Sequence, residues 1–128
     1  MSDDRRRILL IDDSELILAA EEQVLSEAGF QVRAVSSLRQ LVNTIMDWQP
    51  HLIVTDLYMP DMKGDELCKW LRRQNATHRT PIIICSSASD EELADVTRAV
   101  GADGYVSKND DLDALPQRLR QLCDEIVW

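Results

Sequence analysis

Short apolar runs alternate with longer amphipathic stretches along this chain. The runs are brief and rich in β-branched residues, which is typical of strands buried on both faces of a sheet. They are Ile8 to Ile11, Phe30 to Val35, Leu52 to Thr55, Ile82 to Cys85 and Gly104 to Val106. The stretches with helical spacing are Ser14 to Ala28, Ser37 to Trp48, Gly64 to Arg73, Asp90 to Val100 and about Asp113 to Ile126. Five strand–helix units in strict alternation predict an α/β fold with a parallel sheet and helices on both faces.

Capping and turn residues mark several of these boundaries. Ser14 and Asp90 are residue types that cap helices, and Gly101 follows a predicted helix end. Pro116 conflicts with a helix interior, because proline lacks an N–H group and clashes with the preceding turn. The conflict disappears if the last helix begins near Asp113, since first-turn amides have no intrahelical partner.

Length and charge restrict the classes of protein. With 128 residues, 45% of them hydrophobic, the chain is predicted to form one domain over residues 1–128. Its net charge of -9 argues against direct binding to nucleic acid, whose phosphates would be repelled. No apolar stretch approaches the roughly 20 residues of a membrane span, so we expect a cytoplasmic protein without membrane contact. Cys68, Cys85 and Cys123 are odd in number and widely spaced, which indicates reduced structural thiols.

Carboxylates follow two of the predicted strands. Asp12 and Asp13 come directly after the first strand, and Asp56 follows the third. Ligands of open parallel sheets bind outside the carboxyl ends of the strands, where the strand order reverses. Three carboxylates at one edge repel each other unless a cation lies among them. The arrangement therefore predicts a site for a divalent cation and a phosphoryl group.

Two further side chains are predicted to reach the same edge. Ser86 ends the fourth strand, and Lys108 follows the fifth. A hydroxyl and an ammonium group both bind phosphoryl oxygens, whereas carboxylates hold magnesium.

At this point the chain resembles the receiver domains of two-component response regulators, over essentially its whole length. The matching segments are Ile11 to Ser14, Thr55 to Pro60 with Gly64 beyond, Pro81 to Ser86, and Gly101 to Lys108. Each segment alone is a weak signal, but all of them in this order are highly specific. The resemblance implies a flavodoxin-like, doubly wound (βα)5 sandwich with strand order 2-1-3-4-5.

The resemblance also implies a role for each site residue. It makes Asp56 the phosphate acceptor and makes Asp13 and Asp56 direct Mg²⁺ ligands, together with the backbone carbonyl of Tyr58. Asp12 becomes a ligand through water.

The remaining implied roles concern the phosphoryl group and the response to it. Ser86 and Lys108 become the partners of the phosphate. Tyr105 becomes the aromatic residue that changes rotamer when Ser86 moves, so that phosphorylation biases an equilibrium between two conformations.

The function implied is that of a phosphorelay switch. The domain takes a phosphoryl group from a histidine kinase or a phosphotransfer protein and signals to a downstream effector protein or domain. It is expected to be no enzyme beyond Mg²⁺-dependent self-phosphorylation from a donor and self-dephosphorylation. It acts as a monomer or as a phosphorylation-dependent dimer.

Other classes compete with this interpretation. A receiver-like docking module that never carries phosphate is one alternative, motivated by Asn109. A magnesium phosphatase with an aspartyl nucleophile is another, but it usually has Asp-x-Asp on its first strand, and Ile11 to Ser14 lacks that spacing. A flavin-binding electron carrier needs a hydroxyl-rich loop after the first strand, where two aspartates would repel the flavin phosphate.

Three positions depart from the commonest family pattern. Asn109 stands where the family usually has a proline joined to the lysine by a cis peptide. A cis bond before a non-proline residue costs about 3 kcal/mol, so we expect a trans bond and a shift that the flexible stem of Lys108 absorbs. Tyr58 is bulky and Ala88 is apolar at positions that resemble tuning sites for hydrolysis, so we expect slow loss of phosphate.

Overall fold

A computed structural model describes residues 6–57 and 63–125, which form five strands and five helices. The strands are β1 (Arg7–Ile11), β2 (Gln31–Val35), β3 (Leu52–Thr55), β4 (Ile82–Ser86) and β5 (Gly104–Ser107). The helices are α1 (Glu15–Glu27), α2 (Leu38–Asp47), α3 (Gly64–Arg73), α4 (Asp90–Val100) and α5 (Leu115–Glu125), with a 3₁₀ turn at Leu112–Ala114. All strand pairs are parallel, in the order β2-β1-β3-β4-β5. The predicted fold class and strand order are confirmed.

Alternate residues of the strands face two separate core layers. In β1, Ile8 and Leu10 belong to a layer that includes apolar residues of α1 and α5, whereas Leu9 and Ile11 belong to a second layer. The second layer includes apolar residues of α2, α3 and α4. Both faces of the sheet are therefore covered, which explains why the strands read as continuous apolar runs.

Most of the predicted element boundaries agree with the structure. Ser14 caps α1, since its hydroxyl accepts a hydrogen bond from the Ile17 amide at 3.3 Å. Gly101 ends α4 with a φ of 74°, in the left-handed region that glycine favours. Pro116 lies in the first turn of α5, where its missing N–H group costs no helical hydrogen bond. The predicted end of this helix at Ile126 lies outside the described residues.

The predicted cap of α4 was wrong by one residue. Ser89 is the cap, and its hydroxyl accepts a hydrogen bond from the Glu92 amide at 3.2 Å. Asp90 is the first helical residue, where its negative charge lies next to the positive end of the helix dipole.

The structure also bears on the thiols and on membrane contact. Cys68, Cys85 and Cys123 are buried thiols, as predicted. Among the helices of the described residues, none is both long and apolar enough to cross a membrane.

Candidate functional site

Hydrogen bonding between β1 and β3 brings the carboxylates together. Ile11 and Thr55 are register partners at the carboxyl ends of these strands, so Asp12 and Asp56 are the next residues on each. The Asp56 amide donates to the Ile11 carbonyl at 2.9 Å and extends the ladder by one step. This edge is also where the strand order reverses, because β2 lies on the other side of β1.

Three carboxylates form a compact cluster at this edge. Asp12, Asp13 and Asp56 each offer an oxygen, and these oxygens lie within 4.8 Å of one another. Asp12 is buried, Asp56 is partly buried and Asp13 is exposed. Carboxylate oxygens are the ligands that Mg²⁺ prefers, and it usually keeps several waters. A cluster with one open, exposed side fits a hydrated Mg²⁺ ion.

Backbone amides orient two of the carboxylates. Oδ1 of Asp12 accepts from the Ser14 amide at 2.9 Å, and Oδ1 of Asp56 accepts from the Leu57 amide at 2.7 Å. Each residue therefore turns its other oxygen, Oδ2, towards Lys108. The Lys108 Nζ donates to Asp12 Oδ2 at 2.5 Å and to Asp56 Oδ2 at 3.1 Å.

The charges of the cluster determine the protonation of Lys108. Burial by itself would lower the lysine pKa, but the hydrogen bonds and negative charges of Asp12 and Asp56 outweigh burial and raise it above its ordinary value. Lys108 is therefore a fixed positive charge at physiological pH. One ammonium group among three carboxylates still leaves the site negative, which favours a further cation.

Ser86 ends the strand next to β3. The Ser86 side chain is buried, and its hydroxyl accepts from the Ala88 amide at 3.4 Å. Ser86 and Ser107 are register partners, and the Lys108 amide donates to the Ser86 carbonyl at 2.8 Å. The hydroxyl predicted to bind phosphate is thus connected through the backbone to the predicted lysine.

Tyr105 is half-buried in β5. It is the register partner of Ile84 and packs against the second core layer. Tyr58, predicted to offer its carbonyl to the metal, lies outside the described residues.

The loop after β5 accommodates Asn109 without a cis peptide bond. The bond between Lys108 and Asn109 is trans, as predicted, and no peptide bond in the described part of the chain is cis. The Asn109 amide donates to the Ser107 hydroxyl at 3.1 Å. The Asn109 side-chain nitrogen donates to the Ser87 carbonyl at 3.0 Å.

Sequence reasoning missed a buried carboxyl group close to the site. Glu21 of α1 is only 6% exposed, and the Cys85 thiol donates to its Oε2 at 3.6 Å. Burial raises the Glu21 pKa, whereas the charge of Lys108 partly lowers it. Both Glu21 and Lys108 line a cavity of about 520 Å³ between α1 and the segment after β5. The helical spacing of Glu21 could have predicted its burial, because it lies on the buried side of α1 with Leu18 and Leu25.

Comparisons with known proteins agree with this geometry. The family model for the response regulator receiver domain matches residues 8–120. The chain is 37% identical over 108 residues to the transcriptional regulatory protein GltR of Pseudomonas aeruginosa, which covers 84% of this chain and 45% of GltR. It is 32% identical over 111 residues to the chemotaxis protein CheV1 of Helicobacter pylori, which covers 83% of this chain and 35% of CheV1. The chain thus spans less than half the length of these two relatives.

A solved structure gives the same result for the fold. The chemotaxis response regulator CheY4 of Vibrio cholerae superimposes with a TM-score of 0.82 at 27% sequence identity. The superposition covers 93% of this chain and 99% of CheY4.

Proposed function

The chain belongs to the response regulator receiver family, and from this premise we propose that it accepts a phosphoryl group on Asp56 from a histidine kinase or a phosphotransfer protein. One observation carries the proposal. The Lys108 ammonium group bridges Oδ2 of Asp12 and Oδ2 of Asp56, beside a third carboxylate within 4.8 Å. This arrangement supports the proposal, because carboxylates suited to attack on phosphorus and to metal binding lie beside a fixed positive charge at neighbouring strand ends.

In the proposed reaction an oxygen of Asp56 forms the new bond to phosphorus. The bond between phosphorus and the imidazole nitrogen of the donor breaks, and that nitrogen keeps the electron pair. A carboxylate and an anionic phosphoryl donor repel each other, so the reaction needs positive charge where charge develops on the transferred group. Lys108 supplies a part of it from its position against Asp56 Oδ2.

Magnesium supplies the remaining positive charge when it is bound. We propose Asp13, Asp56 and the Tyr58 carbonyl as direct ligands, and Asp12 as a ligand through water. The compact carboxylate cluster supports this assignment for the three aspartates.

We propose that Ser86 and Tyr105 transmit the signal. Ser86 moves towards the new phosphoryl oxygens, and Tyr105 turns into the space that Ser86 leaves. The register of β4 and β5 supports a coupled movement, because Tyr105 pairs with Ile84, two residues before Ser86. The rearranged surface then acts, in the cytoplasm, on a downstream effector protein or on a further domain, as a monomer or as a phosphorylation-dependent dimer.

Chemical labelling tests the proposal. The protein is incubated with Mg²⁺ and acetyl phosphate, the acyl phosphate is reduced with borohydride, and mass spectrometry locates the modified residue. We expect modification at Asp56 and its loss in Asp56→Asn, whereas Asp65→Asn on the exposed start of α3 is labelled as the parent is. A label on Asp12 or Asp13 would instead favour an aspartyl phosphatase. No label in the parent would favour a docking module.

A further inference from the structure

Asn109 forms a side-chain bridge between two loops of the site. Its Nδ2 donates to the Ser87 carbonyl at 3.0 Å, across 22 positions of sequence. Only the nitrogen end of the amide can meet a carbonyl oxygen, so the contact requires a donor at this position. It joins the loop that follows β5 to the loop that follows β4.

The bridge continues the hydrogen bonding between these two strands. Ser86 and Ser107 are the last register partners, and the Lys108 amide then donates to the Ser86 carbonyl at 2.8 Å. The next backbone amide is not available to the other loop, because the Asn109 N–H group donates to the Ser107 hydroxyl. The side chain of Asn109 therefore provides the donor for the next carbonyl, that of Ser87.

The carbonyl that accepts this bond belongs to a short segment with the proposed phosphate-binding hydroxyl. Ser87 directly follows Ser86, and the Ala88 amide donates to the Ser86 hydroxyl at 3.4 Å. The loop that follows β5 thus donates hydrogen bonds to two successive carbonyls, those of Ser86 and Ser87. A displacement of this segment relative to the loop that follows β5 disturbs the bond between Asn109 and Ser87.

We propose that Asn109 is a positioning residue that holds the Ser86–Ala88 segment in the conformation it has before phosphorylation. The inference rests on the proposed function, in which this segment moves when Asp56 is phosphorylated. Loss of the donor then releases the segment and raises the population of the moved conformation before any phosphate arrives. A hydrogen bond between exposed groups contributes little net stability, so the expected increase in that population is about two- to tenfold.

Two substitutions remove the donor in different ways. Asn109→Asp keeps the shape but presents carboxylate oxygens to the Ser87 carbonyl, and Asn109→Ala removes the group. Asp110→Asn is the matched control, because it makes the reverse chemical change at the next exposed position. Among the described residues, the Asp110 side chain forms no hydrogen bond to the Ser86–Ala88 segment.

The first measurement is ¹⁵N relaxation dispersion on the unphosphorylated protein without Mg²⁺. We expect the minor population seen at the Ser87 and Ala88 amides to rise about two- to tenfold in both Asn109 variants and to stay unchanged in Asp110→Asn. A role in general stability alone would lower the melting temperature without a specific change at these two amides. Unchanged exchange in both Asn109 variants, or an equal change in Asp110→Asn, would overturn the proposal.

The second measurement compares the phosphorylated proteins. If phosphorylation already breaks the bridge, the chemical-shift differences between the parent and Asn109→Ala at Ser87 and Ala88 shrink once Asp56 is labelled. Differences that persist unchanged would show that the bridge survives in the phosphorylated state, and would overturn the proposal. If the parent itself takes no label, the proposed function fails, while the exchange measurement still decides whether Asn109 restrains the loop.

Discussion

At the scale of single residues, Lys108 joins two carboxylates of the site. Its side chain is 17% exposed, and those of Asp12 and Asp56 are 4% and 13% exposed, so these three charges are largely removed from water. A buried charge without a partner is far more costly than a buried pair. The lysine therefore provides a positive partner for two carboxylates that have little contact with water.

Replacement of Lys108 with Met tests this dependence. Without Mg²⁺, we expect Lys108→Met to lower the free energy of unfolding by about 3 kcal/mol, because the buried Asp12 and the partly buried Asp56 lose their positive partner. Added Mg²⁺ should raise the free energy of unfolding more in the variant than in the parent, since the ammonium group no longer competes for the carboxylates. Urea denaturation with EDTA and with saturating Mg²⁺ measures both quantities.

Lys69→Met on the exposed side of α3 is the control for this experiment. It changes the same chemical group away from the site, so we expect its free energy of unfolding to stay within about 0.5 kcal/mol of the parent. Equal stability losses in the two variants would contradict a special role of Lys108.

In the proposed phosphorylated state, we expect the residues around the approach of water to Asp56 to set the lifetime of the phosphate. Ala88 packs against the second core layer and offers no polar side-chain group to orient water. We predict that Tyr58→Asn combined with Ala88→Glu accelerates loss of phosphate about tenfold, because asparagine is smaller than tyrosine and a carboxylate can orient the attacking water. Decay of phosphorylated protein in a kinase-free, Mg²⁺-saturated assay measures the rate. A double variant that decays no faster than the parent would show that these positions do not set the lifetime.

At the scale of elements, the start of α3 is hydrogen-bonded to Leu57, the residue that follows the proposed acceptor. The Gly64 amide donates to the Leu57 carbonyl at 2.7 Å. A Cβ atom on Gly64 would lie 2.9 Å from both the Leu57 Cα and the Leu57 oxygen. Because the Leu57 amide also donates to Asp56, we expect a displacement at Gly64 to shift the carboxylate of this proposed acceptor.

A pair of glycine substitutions separates this effect from packing in general. We expect Gly64→Ala to destabilise the domain by about 1–3 kcal/mol and to slow labelling of Asp56, because backbone atoms of Leu57 must move. In Gly104→Ala the new Cβ meets side-chain atoms of Leu122 and Ile83 at 3.1 and 3.2 Å, which are able to shift. Its labelling rate should equal that of the parent. Acetyl phosphate labelling and urea denaturation of both variants provide the measurements, and equal labelling rates in all three proteins would contradict the role of Gly64.

The elements themselves were predictable because their signals are local. Strands buried on both faces read as apolar runs, and the polar residues at the ends of β1, β3 and β4 mark the site edge; they are Asp12, Asp56 and Ser86. The cap of α4 was misassigned because Ser89 and Asp90 are both good capping residues and only the backbone decides between them. The hydrogen bond between Asn109 and Ser87 joins residues far apart in sequence, so no local sequence pattern predicts it.

At the scale of the whole molecule, one ionisable carboxyl group is buried among the apolar residues of the core. Glu21 lies among the packed residues between α1 and β4, and among the described residues its one hydrogen bond comes from the weakly polar thiol of Cys85. A cavity of about 520 Å³ adjoins it. Burial raises its pKa above the ordinary value of 4.5, so the folded state binds this proton more tightly than the unfolded chain does.

The raised Glu21 pKa predicts how the stability of the domain depends on pH. The contribution of Glu21 is fully present below pH 4.5 and is lost as the pH rises through its folded pKa, because the folded state then holds a poorly solvated charge. We therefore expect Glu21→Gln to gain stability relative to the parent as the pH rises from 4.5, by about 1 kcal/mol at neutral pH. Urea denaturation from pH 4.5 to 8 measures the difference, with Glu22→Gln on the same helix as the control.

Parallel stability curves for Glu21→Gln and the parent would show that the group titrates as it does in the unfolded chain. A gain that is confined to Glu21→Gln has a consequence for the site as well. When ionised, Glu21 adds a negative charge that interacts with Lys108, and both residues line the same cavity. Without that charge, the Lys108 ammonium group interacts, among the described carboxylates, only with Asp12 and Asp56 and is held by them more firmly. Mg²⁺ then competes less well with the lysine for these carboxylates. Weaker Mg²⁺ affinity in Glu21→Gln than in Glu22→Gln, measured by titration at pH 7, is the expected result.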